Sequence, residues 1–198
     1  MNTPAHVVFS LALMGRRNAR TYPIAITAGA LLPDLAMFGF YAWQRFQGVS
    51  ESAIWGEKYY LSGWQSFFDT FNSLPLIAIG LVFTVWRGWK FATMLLISMA
   101  VHCLIDLPVH HDDAHRHFFP FSEYRFFSPV SYWDPQHFGN YVLTVEIVLT
   151  LILGGYLWVS SRATANAPQA NALRLILVLA LAAYAFFMAF AWLTWSAL

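Results

Sequence analysis

The chain has 198 residues, 59% of them hydrophobic and 11% charged, with a formal net charge of +1. Apolar content above the roughly 45–50% usual for soluble domains points to the membrane, and the few, scattered basic residues exclude a nucleic-acid binder. The single cysteine, Cys103, excludes a disulfide framework and a thiolate zinc site.

Taken in chain order, the first apolar segment covers residues 4–14. It is about half the roughly 20 residues that a bilayer-crossing helix needs. A short helix is expected there, with Thr3 as N-cap and Pro4 at the first helical position. Arg16, Arg17 and Arg20 follow this run instead of preceding it, which is not the order of a cleavable signal. Membrane spans are expected at about 22–44, 67–86, 91–108, 141–160 and 175–197. Pro33 is expected to interrupt the first of them. The expected fold is therefore all-α: one membrane-embedded bundle over 1–198, of about five transmembrane helices plus the short N-terminal helix. Residues 109–140 form a loop rich in His, Asp and aromatic side chains.

Arginine and lysine set the orientation. Arg16, Arg17, Arg20, Arg87, Lys90, Arg162 and Arg174 fall on one side, against Arg45, Lys58, Arg116 and Arg125 on the other. The first group marks the cytoplasmic face of a plasma (inner) membrane, which places the His-rich loop on the outer, periplasmic side. His6, Asp69, His102, Asp106 and Glu146 then gather in the outer half of the bundle, with Asp34 deeper in its span.

The residues that suggest chemistry begin at Val109-His110-His111-Asp112-Asp113-Ala114-His115-Arg116-His117. Imidazole and carboxylate together are the usual ligand set for zinc and related divalent metals. His102 and Asp106, four apart, share one helix face about 6 Å apart along the axis. A carboxylate inside a span, such as Asp34, costs about 2.5 kcal/mol or more on insertion scales and therefore needs a partner or a metal. The same reasoning marks Glu146. Asp69 can act as a first-turn acid, and Asn72 can offer an amide oxygen. Arg116 and Arg125 can hold a phosphate or carboxylate, with the aromatic stretch 118–135 as a lid. No Gly-x-Ser-x-Gly elbow, phosphate-cradling glycine loop or dinucleotide fingerprint is present.

The order Thr3-Pro4-Ala5-His6, Gly29-x-Leu31-Leu32-Pro33-Asp34, Asp69-x-x-Asn72-Ser73, His102-x-x-x-Asp106 resembles the membrane-bound metal-dependent hydrolases, a family of bacterial multi-pass proteins. These look like distant, membrane-embedded relatives of zinc-dependent phospholipase C. The resemblance covers about residues 3–117. It implies His6, Asp34, His102 and Asp106 as metal ligands, with His110 as a further histidine ligand. Asn72 departs from the pattern, since the family often has histidine before that serine. His111, Asp112, His115, Asn72 and Glu146 are expected either to add a ligand or to hydrogen-bond the ligands.

The expected function is that of an integral-membrane hydrolase using a divalent metal, zinc foremost. Asp34 or Asp69 would act as general base. The substrate would be a phosphodiester or ester, a membrane lipid among the candidates, with Arg116 or Arg125 holding its charge. Two other readings compete. One is a non-enzymatic metal or small-molecule binding or transport protein. The other is a structural protein in which His and Asp merely pair.

Overall fold

The computed structural model describes residues 1–162 and 168–195; residues 196 and 197 of the fifth predicted span lie outside them. The described residues form helices and connecting loops, with no strand. Helix α1 covers Thr3–Leu13 and α2 covers Gly15–Thr21. Helix α3 runs over Pro23–Phe46, and the short α4, Glu51–Ala53, continues into a π turn at Ile54–Lys58. Then follow α5 (Ser62–Phe71), α6 (Leu74–Trp86), α7 (Lys90–Asp106), α8 (Gly139–Arg162) and α9 (Pro168–Trp195). Five stretches are long and apolar enough to cross a membrane: Pro23–Phe46, Ser62–Trp86, Lys90–Val109, Gly139–Arg162 and Pro168–Phe190.

Helix α1 has 11 residues, about 17 Å of rise and well short of a bilayer core. It packs against α3, α7, α8 and α9. Being surrounded, it buries most of its surface, including Ala5, His6, Val8 and Leu11. A histidine in its first turn therefore lies at the centre of the bundle. The N-cap is Asn2 and not Thr3, and the Asn2 side chain caps nothing. It reaches instead across to α8, where its Nδ2 donates to Glu146 Oε1 at 2.7 Å.

Helices α3 and α7 approach closely at Gly29, where a Cβ would meet the Leu95 carbonyl oxygen at 2.1 Å. The closeness permits two side-chain bonds one turn apart. Ser98 Oγ donates to Ile26 O at 2.6 Å, and His102 Nδ1 donates to Ala30 O at 2.8 Å. Pro33 does not interrupt α3, which is continuous through it. Apolar surroundings leave a chain no alternative to helix, and neighbouring helices supply polar side chains to nearby carbonyls.

The second span is broken at Asn72-Ser73, between α5 and α6. Ser73 caps α6 through Leu76 N, and Pro75 occupies its first turn. The break receives the loop that follows α7. Leu74 N donates to His117 O at 2.9 Å, His117 Nδ1 donates to Asn72 O at 3.1 Å, and Ser73 Oγ donates to Phe119 O. Helix ends expose backbone groups without partners, so a broken span is a ready seat for a loop. The loop is closed on itself by Ser128 N to His110 O at 3.0 Å and Tyr132 N to Val109 O at 2.9 Å.

Candidate metal centre

His6, His102 and Asp106 come together from α1 and α7 with one donor atom each, all within 4.8 Å of one another. The trio is 3% exposed or less. His6 Nε2 lies 2.9 Å from Asp106 Oδ1, and His102 Nε2 lies 3.1 Å from Asp106 Oδ2. The two imidazoles stack with centroids 3.7 Å apart, so both ring edges address the same carboxylate.

The donor set fits a divalent ion. His102 Nδ1 is committed to the Ala30 carbonyl, which holds a neutral ring in the tautomer whose Nε2 lone pair is free. His6 Nδ1 is buried without a hydrogen-bond partner among the described residues, and its Nε2 faces Asp106 Oδ1. Two imidazole nitrogens and a carboxylate, desolvated and converging, are a ligand set suited to zinc. The ammonium of Met1 also donates to Asp106 Oδ1, at 2.6 Å.

Asp34 and His110 flank the trio. Asp34 Oδ1 stands 3.6 Å from His102 Nε2, and its Oδ2 is buried without a hydrogen-bond partner among the described residues. His110 Nε2 lies 3.5 Å from Asp106 Oδ1, and its Nδ1 lies 3.0 Å from Asp113 Oδ2. Burial lowers the His110 pKa, but the Asp106 charge and the bonds to Asp106 and Asp113 outweigh it and raise the value to about 9. The ring is thus held between two carboxylates. Both residues open onto a cavity of about 780 Å³ between α3, α9 and the loop, which Asp113, His115 and Tyr132 also line.

The other predicted site residues go elsewhere. Asp69 does not join the trio: it is fully buried and anchors the loop. Its Oδ1 accepts the Arg116 backbone N–H at 3.1 Å and faces His115 Nδ1 at 3.3 Å, while its Oδ2 accepts Arg116 Nε at 2.5 Å. Arg116, expected to hold a substrate anion, also donates to Glu123 and to Ser66 Oγ, and it lies over the Phe119 ring. Arg125 donates to the Ala114 carbonyl and to Gln65 Oε1, and its Nη2 is 3.8 Å from Asp69 Oδ2. Neither arginine lines the cavity. Asn72 turns its amide back to Phe68 O at 3.1 Å as the end of α5, away from the trio. Glu146 accepts from Asn2 and from Tyr184 Oη, at 3.0 Å, and so fixes the start of α1. His111 donates to Ser128 O at 2.5 Å and stacks on His137 at 3.7 Å. Asp112 is exposed. For Asp69, Arg116, Arg125 and Glu146 the physical reason is common: an ionisable group in an apolar bundle takes the nearest complementary partner, and that partner lies near the loop or at the start of α1.

Reading the sequence missed Asp113 and Tyr132. Asp113 pairs with His110, whereas Asp112 was the acid singled out. The spacing of three between His110 and Asp113 within a turn is the signal available for that pairing. Tyr132 packs on His110 with ring centroids 5.0 Å apart, and no local pattern marks it.

Comparison with protein-family models, with curated proteins and with solved structures finds no match to this chain.

Proposed function

We propose that this protein is an integral-membrane, metal-dependent hydrolase. Zinc is the favoured ion, and a phosphodiester or ester of a lipid in the outer leaflet is the favoured substrate. The reading places the chain with the membrane-bound metal-dependent hydrolases that its motif order resembles. The observation that carries it is the buried His6, His102 and Asp106 trio sharing a boundary, through Asp34 and His110, with a cavity of about 780 Å³. A purely structural His–Asp pair needs no such cavity.

His6, His102 and Asp106 would hold the ion, with Asp34 able to join them. When bound, a divalent cation supplies Lewis acidity, which lowers the pKa of water and polarises a phosphoryl or acyl oxygen. Asp34, whose Oδ2 is unpartnered, is placed to take a proton from attacking water. His110, facing the same cavity, is placed to give a proton to the departing oxygen. A carboxylate and an imidazole on one cavity wall suit an acid–base division of labour. Burial of the trio excludes bulk water and strengthens these interactions.

Transport is the weaker reading. A path through the bundle needs polar groups on both sides of the trio. On the far side from the cavity, α1, α3, α8 and α9 meet in an apolar cluster that includes Leu11, Ile26, Leu157 and Leu177.

The test is elemental analysis of the purified full chain together with release of headgroup or fatty acid from phospholipid vesicles. About one zinc per chain is expected, lost in His102→Ala and in Asp106→Ala along with hydrolysis. A wild-type protein that holds no metal after zinc loading, or His102→Ala with undiminished metal and hydrolysis, refutes the reading.

A further inference from the structure

The lining of the cavity changes along its length. Next to the trio it is polar, with Asp34, His110, Asp113 and Tyr132. Towards α9 it is apolar, with Ala183, Phe186 and Phe187 facing Phe38 of α3. Phe38, Phe186 and Phe187 are 45%, 73% and 45% exposed, so this wall opens sideways from the bundle. Towards α4 it is aromatic and acidic, with Tyr41, Glu51, Trp55 and Tyr59.

Asp34 and Tyr41 both line the cavity from α3. Seven residues apart, they share a helix face with about 10 Å of rise between them. Glu51 orients the aromatic end: it accepts Tyr41 Oη at 2.5 Å and Trp55 Nε1 at 3.2 Å. The Tyr41 and Trp55 rings are near parallel, with centroids 5.7 Å apart, and Tyr59 lies 5.9 Å from Trp55. Arg45 reaches Glu51 at 3.6 Å from outside the cavity, but both side chains are about half exposed, at 48% and 54%, so solvent screens the pair.

Positive charge in the cavity is already matched. Among the described lining residues there is no lysine or arginine. The Met1 ammonium faces Asp106, and the His110 ring lies between Asp106 and Asp113. Arg116 and Arg125 are held by Asp69. Aromatic faces beside a carboxylate, with no competing cation inside, suit a substituted ammonium group. Aromatic and aliphatic side chains open to the side suit an acyl chain.

We infer that the cavity is a lateral lipid portal. The chain of a phospholipid slides in between α3 and α9 past Phe38 and Phe187, and its ester or phosphodiester lies at Asp34 and His110. A terminal amine, as in a choline or ethanolamine headgroup, rests against Tyr41, Trp55 and Tyr59 beside Glu51. This rests on the hydrolase reading for what happens at the centre of the cavity, but its test reads binding and not turnover.

The detergent-solubilised full chain, zinc-loaded and zinc-stripped, is titrated with phosphatidylcholine or with phosphatidylglycerol of the same acyl chains. Retained lipid is counted by native mass spectrometry. Phosphatidylcholine is expected to be retained about tenfold better than phosphatidylglycerol, the scale of a desolvated cation–π contact. Glu51→Gln and Trp55→Ala collapse that ratio to about twofold, and Trp55→Phe restores most of it. Ala183→Trp fills the apolar wall and lowers retention of both lipids about fivefold. Thermal unfolding identifies variants that fold, and only those are scored. Equal retention of the two lipids by the wild type overturns the headgroup assignment, and undiminished retention by folded Ala183→Trp overturns the portal. Selective retention in a protein that hydrolyses nothing leaves the portal standing and removes the hydrolase reading. Hydrolysis without selectivity does the reverse.

Discussion

Replacing Asp69 by alanine separates loop anchoring from catalysis. The carboxylate is fully buried and accepts two charge-assisted or backbone bonds from Arg116 while facing His115 and Arg125. Removing one partner of a buried ion pair costs about 3–5 kcal/mol because the other charge is left uncompensated. Arg116 keeps a second acid, Glu123, but that side chain is 77% exposed, so its screened charge replaces little of what Asp69 supplied. The expected cost therefore stays within that range, about 3–5 kcal/mol, which for a chain of this size lowers the unfolding midpoint by about 6–20 °C. Asp69→Asn keeps the shape and one acceptor oxygen, so its cost is smaller. The measurement is thermal unfolding in detergent with zinc content determined on the same sample. Faster proteolysis between residues 109 and 140 is expected alongside, and zinc is retained. Loss of zinc with an unchanged midpoint refutes the anchoring role and makes Asp69 a metal ligand.

Three further expectations follow from the packing and titration. Gly29→Ala places a Cβ 2.1 Å from the Leu95 carbonyl oxygen, so α3 and α7 must separate and the His102–Ala30 bond must lengthen. A stability loss of about 1–3 kcal/mol with weakened zinc affinity is expected, and calorimetric zinc titration that finds wild-type affinity contradicts it. On the hydrolase reading, His110→Gln removes the proton donor but leaves the His6, His102 and Asp106 side chains in place, so zinc stays bound while turnover falls about 10²–10⁴-fold; equal loss of zinc in that variant makes His110 a ligand. Burial holds the His117 imidazole below the ordinary histidine value, so the unfolded chain takes up the proton first as pH falls. Its contribution to loop docking is complete above about pH 6.5 and declines below it. The unfolding midpoint of the wild type should therefore drop more steeply than that of His117→Asn between about pH 7.5 and about pH 5.5; parallel slopes contradict it.

The sequence by itself determined the membrane class, the five spans and the short first helix. Hydropathy is summed over neighbours in the chain, and an apolar run has no other way to satisfy its backbone than as a helix. It also determined that His102 and Asp106 act together, because a spacing of four puts both on one face before any tertiary contact forms. The motif order singled out His6 and Asp34 as their partners, and the fold brings both to that face. Only the tertiary structure decided which remaining charges belong to the site. Asp69 meets Arg116 across 47 residues, and Glu146 meets Asn2 across 144. Such pairings depend on distance in space, and in a low-dielectric bundle the nearest opposite charge or donor takes the group whatever its sequence context suggests. The same holds for the cavity, whose acidic and aromatic wall is assembled from α3, α4 and the π turn after it, and for Asp113 displacing Asp112, which follows from how the loop closes over His110.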